Sequence, residues 1–321
     1  MLTEPSRETR VLATPDGRQL EVLDAGPDDG LPLIFHNGTP GGLVAFPAMV
    51  AEAAARGLRT VLYARPGYGE STGQPGRRVA DAAADVTAVL DGLGARQFLT
   101  VGWSGGGPHA LACAALLPGR CLAAASLAGV APARARDLDW VAGMGPENVA
   151  EFTAAGQGGA ALTAFLGEAA AGLGQVTGPQ VAEELGGLIA AADRAVVTAE
   201  FADYLAGSFR AALRGGIAGW RDDDIAFVSD WGFPVDQAGT IPVAIWQGDE
   251  DRMVPFSHGA WLAAHIPGAR AHLAPGEGHL TLAARSFGAV LDDLLDLAGQ
   301  PSAGRARGAL RPPSAELLRP L

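Results

Sequence analysis

Short apolar runs alternate with stretches of helical periodicity over the first 130 residues. Runs at 11–13 and 20–23 flank Pro15-Asp16-Gly17, a turn-forming sequence that predicts an antiparallel hairpin. The next predicted strands cover 33–35, 59–63, 98–101 and 122–127, and the predicted helices between them cover 44–55, 79–90 and 108–117. Buried strands that alternate with helices are typical of a parallel sheet with helices on both faces, so we predict an α/β fold.

The pattern changes between Ala131 and about Asp230, where no run typical of a strand occurs. Stretches rich in Ala, Leu and Gly predict helices there, at 160–172, 181–192 and 195–205. The alternation then returns, with strands at 243–246 and 271–273 and helices at 261–265 and 280–297. We therefore predict one core from residues 1–130 and 231–298, a helical insertion at 131–230, and a flexible tail at 299–321, where prolines and arginines recur.

The composition narrows the class of protein. Of the 321 residues, 48% are hydrophobic and 18% are charged, which suits a large folded core and excludes a disordered chain. A net charge of −12 would repel nucleic acids and anionic membranes, so we expect a small-molecule substrate and neither of those partners.

The sequence shows no pattern typical of a targeting signal or a cofactor site. No apolar run reaches the roughly 18 residues that span a bilayer, and the first residues lack the apolar centre of a signal peptide. Cys113 and Cys121 match no disulfide framework or zinc motif. We expect a cytoplasmic protein that uses no metal and no organic cofactor.

The strongest chemical signal is Gly102-Trp103-Ser104-Gly105-Gly106, between a predicted strand and a predicted helix. A serine at such a junction sits in a sharp turn that presents its hydroxyl, and only small neighbours leave room for the turn. The Gly105 amide opens the helix, where the helix dipole stabilises an oxyanion. Ser104 is the candidate nucleophile, although a glycine-rich turn with an incidental serine would have the same pattern.

A serine nucleophile needs a base, and the chain has six histidines. His279 follows the last predicted strand and a glycine-rich loop, from which an imidazole can reach across the sheet. His109 lies within the helix after Ser104, which carries it away from the turn. The remaining positions fit packing or pocket-shaping roles better than catalysis: His36, His258, His265 and His272.

The base in turn needs a carboxylate that fixes its tautomer. Asp249, Glu250 and Asp251 follow the predicted strand at 243–246. Either aspartate could serve, and a run of acids is often only a solvated loop. The chain order of serine, acid and histidine is the order expected of one hydrolase arrangement.

Together these residues resemble the α/β-hydrolase superfamily, over nearly all of 11–297. Gly102–Gly106 resembles its nucleophile elbow, Gly278-His279 its terminal histidine motif, and Gly248-x-x-Asp251-x-x-Val254-Pro255 its acid loop. The resemblance implies a mostly parallel eight-stranded sheet with helices on both faces, and it favours Asp251 over Asp249 as the acid. A serine nucleophile is unlike the dehalogenase and epoxide-hydrolase branches, which use aspartate.

The oxyanion loop is also implied by the resemblance. Asn37-Gly38-Thr39-Pro40-Gly41 resembles a His-Gly-x-Pro-Gly loop, in which the residue after glycine, here Thr39, donates the second backbone N–H beside Gly105. Asn37 replaces the usual histidine, which braces the loop in this family, and its amide could form a hydrogen bond in that place. The turn after the fourth strand, Arg65-Pro66-Gly67-Tyr68-Gly69, also matches, but it follows Ala64 where an acid is common.

In this superfamily the inserted helices form a cap over the active site. Trp103, beside the nucleophile, and Gly38 are expected to line the pocket, whereas most aromatic residues of the insertion are expected in its core: Trp140, Phe152, Phe165, Phe201, Tyr204, Phe209 and Trp220. Asp222–Asp224 is expected to be a solvated loop or helix cap and not a metal site.

These inferences predict a serine hydrolase that cleaves an ester-like or amide bond of a small molecule through an acyl-enzyme. A proline-iminopeptidase-like aminopeptidase is an alternative, in which acids of the cap, such as Glu200, Asp203 or Asp222–Asp224, would hold a free amino terminus. A cofactor-free haloperoxidase or C–C hydrolase would use the same triad. A ligand-binding module on a hydrolase scaffold is the non-enzymatic alternative.

Overall fold

Eight strands form one sheet within residues 7–300, the part of the chain that this computed structural model describes. The strands are β1 (Arg7–Ala13), β2 (Gln19–Ala25), β3 (Leu31–His36), β4 (Leu58–Tyr63), β5 (Phe98–Trp103), β6 (Cys121–Leu127), β7 (Val243–Gly248) and β8 (Arg270–Ala274). Their order across the sheet is β1-β2-β4-β3-β5-β6-β7-β8. The first two form the expected antiparallel hairpin, β2 pairs antiparallel with β4, and the strands from β4 to β8 are parallel. The predicted mostly parallel sheet is confirmed.

Twelve α-helices accompany the strands in the same described range. They are α1 (Pro47–Ala54), α2 (Ala82–Gly92), α3 (Gly107–Leu116), α4 (Pro146–Gln157), α5 (Gly159–Leu173), α6 (Val181–Glu184), α7 (Ala191–Arg194), α8 (Ala199–Leu213), α9 (Ala218–Val228), α10 (Phe256–His265), α11 (His279–Arg285) and α12 (Phe287–Leu297).

The core lies on both faces of the sheet, because successive side chains of a strand point to opposite sides. In β3, Leu33 and Phe35 belong to one apolar cluster, which includes residues of α1 and α12. Ile34 belongs to the other, which includes residues of α2, α3 and α10. Since both faces are covered, every residue of β5 is buried, and this explains why its sequence is almost entirely apolar. Its one polar side chain, Thr100, donates to the Ile34 carbonyl.

Helices α4–α9, residues 146–228, lie between β6 and β7, and we refer to them as the inserted helices. No strand occurs in residues 131–230, all of which are described, as the sequence predicted. A third apolar cluster joins Leu162, Leu166 and Trp220 of these helices to Tyr68 in the turn after β4. The insertion is therefore packed directly against a loop of the sheet.

Several helix boundaries differ from the predictions. The stretch 181–192 was predicted as one helix but contains parts of two short helices, α6 and α7. Gly186 lies between them and adopts φ +48°, a left-handed conformation that ends the helical path. The predicted helix 195–205 is α8, which begins at Ala199 and continues to Leu213. The closing helix is divided at Ser286 into α11 and α12. Apolar periodicity continues through each break, which is why the sequence did not reveal it.

None of the helices in residues 7–300 combines the length and hydropathy that a bilayer crossing requires. Most of the tail predicted at 299–321 lies outside the described residues.

Candidate active site

Four loops at the carboxyl ends of parallel strands carry the residues that the sequence singled out. Asn37–Thr39 follow β3, Ser104 follows β5, Asp251 follows β7 and His279 follows β8. Parallel strands present these ends at one edge of the sheet, the usual place for a binding crevice in an open α/β fold. Ser104 and His279 line the same cavity there, together with the Asn37–Thr39 loop.

Ser104 lies at a sharp turn between β5 and a single 3₁₀ turn that leads into α3. Its φ is +56°, a left-handed conformation that a residue with a side chain adopts at a cost. Its neighbours have to be glycine: a Cβ at Gly102 would overlap the Gly106 carbonyl, and one at Gly106 would overlap the His36 carbonyl. The steric reason for reading this sequence as a nucleophile elbow therefore holds in the structure.

Asp251 and His279 form a buried pair. His279 Nδ1 lies 2.8 Å from Asp251 Oδ2, and because a carboxylate can only accept, Nδ1 carries the hydrogen. Asp251 Oδ1 accepts the amides of Met253 (2.9 Å) and Val254 (2.8 Å). Gln247 Nε2 donates to Asp251 Oδ2 at 3.0 Å. These bonds fix the carboxylate in place, so the second nitrogen of His279, Nε2, is the one left for the cavity.

Of the two candidate acids, Asp249 does not pair with His279 but binds a neighbouring loop. Its Oδ1 accepts the amide of Gly276 at 2.7 Å, a bond that ties the loop after β7 to the loop after β8. Gln247 was missed by the sequence analysis, since an amide at the end of a strand has no distinguishing pattern. It also donates to the Val254 carbonyl at 2.7 Å, so it braces the whole acid loop.

The surroundings of His279 favour its charged form. Burial alone would lower its pKa, but the adjacent Asp251 carboxylate and the charge of Asp193 outweigh burial and raise the pKa above the ordinary value of 6.5. Trp103 also contacts His279. Its Nε1 donates to the His279 carbonyl at 3.3 Å, and the centroids of the two rings lie 5.7 Å apart. Trp103 and Gly38, both expected at the pocket, line the cavity.

The other histidines are held in structural contacts. His109 Nδ1 lies 2.9 Å from the Gly105 carbonyl, and burial lowers its pKa to about 3. His258 bridges the Ala131 amide and the Trp140 carbonyl. The remaining three are each packed against an aromatic ring: His36, His265 and His272.

The loop after β3 is braced by Asn37, which donates from Nδ2 to the Gly42 carbonyl at 2.9 Å. Its Gly38 approaches Ser104, since a Cβ there would lie 3.3 Å from Ser104 Cβ. Thr39 contacts Gly105, where an added Cβ would overlap the threonine side chain. The two residues expected to supply oxyanion amides are thus neighbours beside Ser104.

A buried ionic network that the sequence did not reveal holds this loop from behind. Arg65 donates to the carbonyls of Asn37 (2.6 Å) and Gly38 (2.9 Å) and pairs with Asp223 at 2.5 Å. Asp223 also pairs with Arg77 at 2.7 Å. Burial alone would raise the pKa of Asp223, but the two arginines hold it well below its usual value. The carboxylate is therefore ionised, although none of its surface is exposed.

The expectation that Asp222–Asp224 would be solvated is wrong. All three lie in α9 and are buried, because this helix packs against α4, α5 and the 3₁₀ turn at Val79–Asp81. Asp224 faces Glu151 of α4, and burial raises the pKa of both carboxyls. Repulsion by Glu151 raises the pKa of Asp224 further, whereas hydrogen bonds with Asp224 and Trp220 only partly offset the effect of burial on Glu151. The pair accordingly retains a proton that isolated carboxyls would lose.

The cavity has a volume of about 590 Å³ and lies between the sheet edge and the inserted helices. Four of the seven aromatic residues expected in the core of the insertion also line the cavity: Phe165, Tyr204, Phe209 and Trp220. Tyr204 and Trp220 are buried in apolar clusters as well, so they serve both the core and the cavity wall. Glu147, Glu151 and Glu184 contribute carboxylates, whereas no arginine among the described residues lines the cavity. Such a space suits an apolar substrate that is neutral or positively charged. Within residues 7–300, no group of His, Cys, Asp and Glu has the arrangement of a metal site.

The chain is similar to several known proteins. A non-heme chloroperoxidase of Streptomyces lividans is 33% identical over 147 residues, which are 45% of this chain and 53% of that protein. Epoxide hydrolase B of Mycobacterium tuberculosis is 33% identical over 120 residues, 36% of this chain and 34% of that protein. The chain thus spans about half of the length of the first of these curated relatives and about a third of the second.

Among solved structures, an alpha/beta hydrolase fold protein from Nakamurella multipartita superposes with a TM-score of 0.60 at 26% identity, over 91% of this chain and all of that one. The family model described as alpha/beta hydrolase fold matches residues 32–284. This range includes every strand from β4 to β8 and each loop that carries a candidate site residue, so the protein belongs to the α/β-hydrolase fold family.

Proposed function

We propose that the protein is a serine hydrolase that cleaves an ester-like or amide bond of a small molecule through an acyl-enzyme. The observation that carries the proposal is the 2.8 Å bond between His279 and Asp251, with His279 lining the same cavity as the left-handed Ser104. A fixed imidazole and a presented hydroxyl in one cavity are the two groups that acyl transfer requires.

In the first half of the reaction, Ser104 Oγ attacks the carbonyl carbon while His279 Nε2 takes the hydroxyl proton. Asp251 stabilises the imidazolium that results. The tetrahedral intermediate collapses, the imidazolium protonates the leaving alcohol or amine, and the acyl group stays on Ser104. In the second half, water attacks this ester, gives its proton to His279, and the carboxylic acid leaves as Ser104 Oγ recovers the proton.

The negative oxygen of each tetrahedral intermediate would be bound by the backbone amides of Gly105 and Thr39. The contact between these residues beside Ser104 supports this assignment. Donors aimed at a developing oxyanion in a water-poor site contribute on the order of 3 kcal/mol each to catalysis. The Arg65–Asp223 network would keep the Thr39 side of this pair rigid.

The inserted helices would act as a cap that excludes water and shapes the acyl or leaving-group pocket. Their aromatic residues supply the apolar wall of the cavity, and Trp103 and Gly38 supply the floor beside the nucleophile. The proposed chemistry involves no cofactor.

Intact-mass labelling with a fluorophosphonate probe tests the proposal. We expect one stoichiometric adduct on the parent protein and none on Ser104→Ala, because only an activated serine displaces fluoride at a useful rate. An adduct of equal yield on Ser104→Ala, or a folded parent without an adduct, would overturn the assignment. The second result would favour the ligand-binding alternative, and saturable ligand binding without product would then be sought.

An aminopeptidase-like activity is a second candidate, favoured by the Glu151–Asp224 pair. Glu151, which the sequence analysis did not suggest, lines the cavity and could accept a substrate ammonium group. The acids suggested from the sequence do not line the cavity: Glu200 and Asp203 are exposed, and Asp222–Asp224 are buried in α9. Hydrolysis of proline-terminal amides in preference to simple esters would support this candidate.

The two curated relatives suggest further chemistries. A haloperoxidase or C–C hydrolase activity would use the same Ser104, Asp251 and His279, and a substrate panel that includes peroxide and halide separates them from plain ester hydrolysis. Epoxide hydrolysis is disfavoured, because that branch uses an aspartate at the position that Ser104 occupies here.

A further inference from the structure

The carboxylate of Asp193 lies at the beginning of α11, the helix that His279 opens. Its Oδ2 accepts the backbone amide of His279 at 3.1 Å, and its Oδ1 accepts those of Leu280 (2.7 Å) and Thr281 (3.1 Å). The first amides of a helix have no partner within the helix, so they are usually satisfied by a residue just before it. Here that residue is Gly278, which has no side chain, and the cap comes from α7, 86 residues away in sequence.

The local sequence is adapted to this arrangement. A Cβ at Gly278 would overlap the Asp193 carboxylate, so glycine is required for the contact. Asp193 has none of its surface exposed, and no arginine or histidine within residues 7–300 forms a salt bridge with it. Its charge is balanced only by the three amides and the positive end of the α11 dipole.

Asp193 therefore completes the fixation of His279. Asp251 holds the imidazole at Nδ1, Trp103 holds the backbone carbonyl, and Asp193 holds the backbone amide. It also adds a second negative charge near an imidazole that has to become positive during the reaction. Asp193 itself does not line the cavity, so it would act on the base and not on the substrate.

We propose that Asp193, supplied by the inserted helices, is a positioning residue for His279 in the reaction. This inference rests on the proposed serine-hydrolase function. It means that the insertion is part of the catalytic apparatus, besides any role as a cover over the cavity.

The test is Asp193→Asn, compared with Glu168→Gln, which removes a charge from an exposed position of α5 in the same insertion. For Asp193→Asn we expect kcat to fall about 10-fold or more with KM nearly unchanged, since the substrate pocket is intact. The acidic limb of the pH profile of kcat/KM should move to lower pH, because the base loses a favourable charge. Glu168→Gln should leave all three quantities as in the parent.

Titration of the His279 ring by NMR provides a readout that does not depend on turnover. A lower midpoint in folded Asp193→Asn supports the proposal even if Ser104 proves not to be the nucleophile. A parent-like midpoint together with parent-like kcat would overturn it and leave Asp193 as a helix cap alone. If the asparagine variant does not fold, Asp193→Ser, whose hydroxyl can still accept an amide, is judged by the same two measurements.

Discussion

The Asp223 carboxylate accepts a hydrogen bond from the Thr39 hydroxyl at 2.9 Å, although 184 positions separate the two residues. One comes from an inserted helix and the other from the loop beside the nucleophile. Because Asp223 also pairs with Arg65, which holds the carbonyls of the same loop, the position of Thr39 depends on the insertion. Both the loop and the base, through Asp193, are thus supported by helices that follow β6.

Replacing Asp223 should test how much this network stabilises the fold. Asp223→Asn leaves Arg65 and Arg77 buried without a counter-charge, so we expect the free energy of unfolding in urea to fall by about 3–5 kcal/mol. The folded-state pKa of Asp223 lies below the unfolded value, so this contribution is fully present above about pH 4 and is lost only as the pH falls through the folded-state pKa. The loss should therefore be the same at pH 5 and pH 8.

Asp222→Asn in the same helix is the matched control. Asp222 pairs with Arg221, whose side chain is 31% exposed, so we expect a loss below about 1 kcal/mol. Equal losses for the two variants would contradict a special role for the Asp223 network.

The elbow glycines offer a steric test. Gly102→Ala places a methyl group on the Gly106 carbonyl, so the turn that presents Ser104 should open and stability should fall by about 1–3 kcal/mol or more. Hydrolysis should fall by at least about 10-fold, since a displaced nucleophile loses its alignment. Thermal melting and initial rates measure both effects. Gly119→Ala, where an added Cβ meets nothing within 4 Å, should behave as the parent does.

The roles of Asp249 and Asp251 can be distinguished by the activity of their asparagine variants and by the pH dependence of kcat/KM. Asp251→Asn should lower kcat/KM by about 10³–10⁴-fold, because the Nδ1 proton is no longer fixed and the imidazolium loses its partner. The pKa of His279, raised in the parent, should fall, so the acidic limb of the profile moves to lower pH. Asp249→Asn should retain the activity within a few-fold. A profile in which Asp249→Asn is the more damaged variant would reassign the acid.

The Glu151–Asp224 pair predicts an unusual stabilising substitution. The pKa of Asp224 is raised well above its unfolded value by burial and by Glu151, so folding becomes less favourable as the pH rises from about 4 towards the folded-state pKa. Asp224→Asn removes this dependence and can donate to Glu151. We expect it to be more stable than the parent by on the order of 1 kcal/mol at pH 8, with a smaller difference at pH 4.5. Denaturant titrations at the two pH values measure it, and a variant that is less stable at pH 8 would refute the buried shared proton.

The sheet could be predicted because a strand that is buried on both faces consists mostly of apolar residues, as Phe98–Trp103 does. The candidate nucleophile and base were also accessible, because Ser104 and His279 lie in short local motifs whose geometry depends on adjacent glycines. Asp193, Asp223 and Gln247 were not, because their partners lie elsewhere in the chain or in a loop whose path the sequence does not specify. Three consecutive aspartates resemble a solvated loop until the positions of Arg65 and Glu151 around α9 are known.

The glutamates of the cavity have a consequence for the end of each catalytic cycle. Hydrolysis of a neutral ester, as proposed, converts an uncharged substrate into a carboxylate product. That anion would be enclosed by walls that carry Glu147, Glu151 and Glu184 and no arginine from the described chain. Under the proposed function, repulsion between like charges would weaken the binding of this product relative to the ester. The lining that admits the substrate would therefore also favour release of the acid and limit inhibition by accumulated product.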